Sequence, residues 1–276
     1  MTDDGAVNRR AGEATARLAA GLSLGLYAGL LAAAVVALFA RVTPAALLAA
    51  LSRPDVLRSI VFTLATATTA TALAVAVVVP AAWALRDFRG LPRLAADALL
   101  DLPHVVPPLV LGLMLLVAFA SWPLDAVGPY VVYRPVAVVI AQWVATVAFL
   151  LPAVRGLVDA TDRRAEGVAR TLGRGPWAAF RDVTLPTVRG ELVAVGLLGW
   201  ARAVGCFGPV LAFAGVTRGR TEVLATTVYL ELNAGDLDTA LAVAALTVLL
   251  AAIVLTAVRI ASGSRFSLSE RPAGRP

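Results

Sequence analysis

The stretch DATDRRAEGVARTLGRGPWAAFRDVTLPTVRGEL, residues 159–192, lies between apolar segments that are each long enough to cross a bilayer. With Arg155 just before it, the stretch gathers Arg155, Arg163, Arg164, Arg170, Arg174, Arg181 and Arg189. The pattern predicts a charged, folded hairpin inside a membrane protein. Residues 163–172 favour a helix, with Asp162 as its N-cap and Glu166 in the first turn, where the positive end of the helix dipole favours a carboxylate. Gly173 stops that helix. Gly175-Pro176 starts another, because proline suits a first helical turn; it would carry Trp177, Phe180, Arg181 and Val183 and end at Leu185-Pro186. Trp177 and Phe180 are three residues apart, so this short helix would present an aromatic ridge flanked by arginines, and such a ridge calls for a partner.

Composition carries the membrane reading outward. Of 276 residues, 59% are hydrophobic and only 15% charged, which predicts an all-α integral membrane protein rather than a soluble domain. The formal charge of +6 contains no lysine, all 24 basic residues being arginine. In this setting the charge reads as loop asymmetry and lipid-headgroup contact, not nucleic-acid binding. Cys206 has no cysteine to pair with, and its apolar surroundings suggest a small buried residue. One histidine and one cysteine cannot build a metal site, and no cofactor is expected. A phosphate-binding Walker loop needs a lysine, so if ATP drives this chain, another chain supplies the ATPase.

Six spans are expected, at 22–40, 59–85, 105–120, 135–151, 192–214 and 240–260, each near the ~20 residues that cross a hydrocarbon core. They divide the chain into a tail 1–21, expected to be poorly ordered to Arg17, a membrane domain 22–261 with the loop 155–190, and a tail 262–276. The first span follows Arg9, Arg10 and Arg17 as a signal peptide would, but its length and the poor cleavage site at Leu38 and Ala40 favour a retained helix. Thr63, Thr66, Thr68, Thr69 and Thr71 of the second span could line a path, although bonding to their own preceding carbonyls is preferred. Residues 86–93 form a short basic loop. Pro103, Pro107 and Pro108 prevent a regular entrance to the third span and free backbone carbonyls, which at membrane depth must be buried in protein or face water. His104 is read as satisfied by backbone in preference to binding substrate. Residues 122–134 form an external loop whose Trp122, Tyr130 and Tyr133 suit an aromatic belt. Gly205 and Gly208-Pro209 interrupt the fifth span, and the polar loop 215–236 has room for a short helix through Tyr229.

Six spans place both termini on the hairpin side. That side collects Arg86, Arg89, Arg93, the hairpin set and the arginines of the tails, against Arg41, Arg53, Arg134, Arg218 and Arg220 opposite, so the hairpin is expected in the cytoplasm. Arg202 lies ten residues beyond Leu192, roughly 15 Å into a core of about 30 Å. A guanidinium there costs about 2.5–3.5 kcal/mol even on the lenient insertion scale, so it must face protein or water. It either offers paired donors to a passing anion or holds carbonyls freed near Gly205 and Gly208-Pro209. A secondary transporter would place carboxylates at midplane, and these spans contain essentially none; an intramembrane enzyme would need a nucleophile or metal constellation, and none is visible.

The run Glu166-Gly-Val-Ala-Arg-Thr-Leu-Gly173 with Val183-x-Leu185-Pro186 resembles the EAA loop by which permease subunits of binding-protein-dependent ABC importers dock their ATPase. Gly167, Val168 and Ala169 stand where that family has Glu-Ala-Ala, with Glu166 just before them. LPHVVPPLVLGL, residues 102–113, and WARAVGCFGPVLAFAGVTRGRTEVLATTVYLELNAGDLDTALAVAAL, residues 200–246, are similar to the molybdate, tungstate and sulfate branch, many of whose members have glutamate where this chain has Cys206. The resemblance implies a type I permease, itself non-catalytic, in the cell membrane with both termini cytoplasmic. It implies a homodimer with two ATPase copies and an extracytoplasmic binding protein. Coupling would fall to Glu166, Gly173, Trp177, Phe180, Leu185 and Pro186; the translocation path would include Arg202, Cys206, Pro107 and Pro108. Gly196 and Gly199 are available for close contact with the second copy. The cargo implied is molybdate, tungstate or sulfate, with another small solute of the same importer class as the alternative.

Overall fold

A computed structural model describes the backbone of residues 4–266 and the side chains of 17–260. Its elements are α1 Asp4–Arg41, α2 Pro44–Ser52, α3 Pro54–Leu85, α4 Leu91–Val105, α5 Pro108–Phe119, α6 Gly128–Val131, α7 Pro135–Asp159, α8 Arg163–Thr171, α9 Pro176–Ala179, α10 Leu185–Val204, α11 Gly208–Phe213, α12 Leu224–Ala234 and α13 Leu237–Phe266. A π-turn, Phe180–Thr184, joins α9 to α10. The N-terminal segment, expected to be irregular as far as Arg17, is helical from Asp4. The C-terminal helix passes the expected boundary at 261, and residues 267–276 lie outside the described residues.

Four segments, Arg17–Arg41, Pro54–Leu85, Pro135–Asp159 and Leu237–Ile260, are each long and apolar enough to cross a membrane among the described residues. The two other expected spans are broken, the fifth at the interruption expected around Gly205 and Gly208-Pro209. The third is a broken pair: α4 and α5 meet at a bend of 118° and qualify as a span only together. Residues 91–105, expected as loop and irregular entrance, are helix α4 with Pro103 inside it, braced on α7 by Arg155 Nη1 donating to Asp97 Oδ1 at 2.6 Å. The fifth expected span is divided at Gly205–Phe207 into α10 and α11. Arg189, Glu191 and Arg202 make α10 too polar to pass as an apolar crossing by itself.

The core is built on α3 against α7. Residues 67, 70, 74, 78, 82 and 85 of α3 are buried at intervals of three and four, one stripe of a helix, and most of them are alanine. Small residues let the two axes approach, and Ala74, Val78, Ala82 and Leu85 pack with Leu150, Leu151, Val154, Val158 and Phe180. A second cluster joins Ala137, Val138 and Ala141 of α7 to Cys206, Val210, Phe213 and Val223. A Cβ at Gly199 would stand 2.7 Å from Leu150 Cδ2, and one at Gly196 would touch Val75 at 3.9 Å. Gly199 is thus taken up by a close contact within the chain, while Gly196 is only half-buried and meets its neighbour at ordinary contact distance. Thr63, Thr66 and Thr69 donate to Ser59, Phe62 and Ala65 carbonyls, as expected of threonines in an apolar helix.

At the end of α3 remote from the hairpin, Arg53 meets Asp55 at 2.7 Å, Glu231 at 3.1 Å and Asp236 at 3.1 Å. Arg218 adds Asp55 and Glu231, both at 2.9 Å. These pairs fasten α3, α12, α13 and the loop before α12 into one charged knot. Carboxylates around Arg53, Asp55 first, hold its guanidinium above its ordinary range.

Candidate functional site

The hairpin forms as its residues dictate. Asp162 caps α8, its Oδ1 accepting from Arg164 N at 2.8 Å. Gly173 then turns the chain at φ +83, a conformation that favours glycine, and Pro176 opens α9. Leu185-Pro186 does not end the helix that follows: the π-turn carries it into α10, with Pro186 in the first turn, where no backbone N–H is needed.

The aromatic ridge finds its partner inside the chain. Trp177 and Phe180 lie 5.4 Å apart, and Trp83 of α3 sits 5.3 Å from the first and 5.8 Å from the second. Phe180 is fully buried, so it is a core residue; Trp177 is 45% exposed and shows an edge to the outside. Nothing in the i, i+3 spacing pointed to Trp83, whose signal was its place two residues before the end of α3. Val168 of α8 and Leu172, the residue that follows that helix, are 61% and 79% exposed, an apolar pair one turn apart.

Glu166 points inward. Its Oε1 accepts from Arg86 Nη1 at 2.8 Å and also from Thr184 Oγ1 of the π-turn. Arg86 Nη2 donates to Val158 O at 2.8 Å and to Thr161 Oγ1 at 3.2 Å, so the base of the hairpin is bound to the end of α3.

The two broken helices meet at a cavity of about 700 Å³ whose wall includes Pro103, His104, Pro108, Arg202 and Cys206. Pro107 stands at the bend itself, as the residue preceding α5, and is not part of that wall. Glycines set the approach of α5 to α11. A Cβ at Gly208 would lie 2.9 Å from Leu109 N, and one at Gly112 would lie 2.8 Å from Pro209 O. Cys206 is buried and free.

The break at α10 frees carbonyls, and the chain satisfies them without Arg202. Ala201 O accepts from Gly205 N at 3.1 Å; Ala203 O accepts from Cys206 N at 3.1 Å and from buried Gln142 Nε2 at 3.1 Å. Gln142 is the only glutamine of the chain and was legible as a lone amide in an apolar span. Arg202 is exposed on the cavity wall and, among the described residues, makes no hydrogen bond or ion pair. His104 is likewise exposed there with no bond to backbone, contrary to expectation.

Residues 76–265 match the model of a family described as binding-protein-dependent transport system inner membrane component. The molybdenum transport system permease protein ModB of Mycobacterium tuberculosis is 33% identical over 215 residues, covering 76% of this chain and 81% of that protein. The molybdate/tungstate permease protein WtpB of Thermococcus kodakarensis is 34% identical over 58% of this chain and 62% of its own length. The sulfate permease protein CysT of Escherichia coli is 30% identical over 74% and 75%. Among solved structures, a bacterial alginate ABC transporter in complex with a periplasmic protein bound to an alginate pentasaccharide superposes with a TM-score of 0.68 at 15% identity, covering 95% of this chain and 96% of that one, which is a likeness of fold. With its several apolar helices, this multi-pass membrane protein belongs to the family of inner-membrane permease components of binding-protein-dependent ABC importers.

Proposed function

We propose that the chain forms the translocation path of an ATP-driven importer for a tetrahedral oxyanion, molybdate, tungstate or sulfate, handed over by an extracytoplasmic binding protein. The observation that carries this reading is Arg202, a guanidinium without a partner among the described residues, on the wall of a largely apolar cavity opened by two helix breaks. Its planar donors match oxyanion edges in pairs. A charge kept at this depth without a structural partner is accounted for by an anion that passes it. The named cargoes of the relatives have the same chemistry.

The hairpin is the docking element for a separate ATPase, since no lysine exists here to build a phosphate loop. Val168, Leu172 and the open edge of Trp177 form its apolar contact, with Arg164, Arg174 and Arg181 exposed on the same hairpin. One chain offers one hairpin, so two ATPases require two copies. The arginine distribution supports a cytoplasmic hairpin with both termini on the same side.

Competition identifies the cargo. In membrane vesicles holding the complete importer, ATP-dependent uptake of labelled molybdate should be suppressed by excess tungstate or sulfate and untouched by chloride. Absence of ATP-dependent uptake of labelled molybdate, tungstate and sulfate alike would reject the oxyanion reading and leave another small solute.

A further inference from the structure

We propose that Arg86 and Glu166 form a latch that passes movement of the docking hairpin to α3, with Thr184 setting the carboxylate in place. The inference rests on the docking reading above and adds the route by which that docking is felt. By covalent connection the hairpin belongs to α7 and α10 alone. Its strongest side-chain ties run elsewhere, to the last turns of α3.

The ties are of two kinds. Arg86, the residue after α3, has a side chain only 4% exposed and reaches Glu166 of α8, Val158 O at the end of α7 and Thr161 in the turn between them. One oxygen of Glu166 receives both Arg86 and Thr184, so α3, α8 and the π-turn converge on a single atom. Trp83, three residues before Arg86, is gripped by Trp177 and Phe180 on either side of the start of that turn. A π-turn is an uncommon backbone form that recurs at functional sites, and here it aims Thr184 at the latch.

What α3 does with a push follows from its shape. It is a helix of 32 residues, about 48 Å long at ~1.5 Å per residue. Its other end is held in the charged knot of Arg53, Asp55, Arg218 and Glu231. α3 runs unbroken through Pro80, and a helix clamped at the hairpin and knotted at its far end transmits displacement between them; Thr63 Oγ1 accepting from Leu224 N at 2.8 Å joins it to α12 on the way. Glu166, Arg86 and Thr184 touch no cargo. They are positioning residues.

The test uses the complete importer purified with its ATPase and binding protein and placed in proteoliposomes, with the variants Glu166→Gln and Thr184→Val, both close in shape to the parent. Three quantities are read: ATPase retained per permease, ATP hydrolysed, and anion delivered per ATP. Retention and hydrolysis should stay within about twofold of the parent while anion delivered per ATP falls about tenfold in Glu166→Gln and less in Thr184→Val. An unchanged ratio in both variants overturns the latch. So does a parallel loss of ATPase retention and uptake, which marks a bond that only folds the hairpin. If the parent chain retains no ATPase, the docking reading fails first and the latch falls with it.

Discussion

Arg86 and Arg202 divide the uses of arginine in this bundle. The first is enclosed by Glu166, Val158 O and Thr161, and it satisfies a corner where three segments end. The second stands exposed on the wall of the cavity with no bond among the described residues. Glycines matter as much as charges at this scale. Gly208 lies against the backbone of Leu109, so Gly208→Ala should force α11 off α5 and cost about 1–3 kcal/mol, read as a drop of several degrees in the thermal midpoint of the detergent-solubilised protein. Gly205→Ala should leave that midpoint unchanged, because its nearest neighbour is a carbonyl of its own helix end at 3.7 Å. Equal effects of the two changes would contradict the packing described here. Arg202 was legible in the sequence because a charge within an apolar run has few explanations. The burial of Phe180 was not, since i, i+3 spacing shows that two rings meet without showing which third ring covers them.

Helix starts and stops were legible where one residue dictates the backbone: Asp162 as a cap, Gly173 at positive φ, Pro176 at a first turn. They were obscured where tertiary packing overrides local preference. Helix α4 holds Arg93, Asp97 and Asp101 with two prolines and reads as loop, but Arg155 on α7 neutralises Asp97 and fixes it against the bundle. The π-turn has no sequence signature, so Leu185-Pro186 looked like an end when it is a beginning. Docking is the prediction that belongs to these elements. Leu172 is 79% exposed at the end of α8, just past Thr171, so Leu172→Asp should reduce ATPase copurification about tenfold and leave membrane insertion intact. Trp177→Ala should also weaken it, but that change removes the edge-to-face contact with Trp83 as well. Full ATPase retention with aspartate at 172 would place the contact elsewhere on the hairpin.

Across the molecule, function is laid out along the length of α3. At one end, a hairpin tied to Trp83 and Arg86 offers an apolar surface. At the other, arginine and carboxylate pairs bind α3, α12 and α13. Between them, two breaks open a cavity that contains Arg202. The membrane class and the two breakpoints were visible in composition and in Pro107-Pro108 and Gly208-Pro209. The 118° bend was not, because proline marks an interruption and leaves its angle to the neighbours that pack around it. The most direct measurement is ATP-driven molybdate uptake by the reconstituted importer bearing Arg202→Gln. Uptake should fall about tenfold while ATPase retention and binding-protein docking match the parent, since only the passage of charge has been altered. Normal uptake by this variant, or a loss traced entirely to a complex that no longer assembles, would contradict the pathway assigned to Arg202.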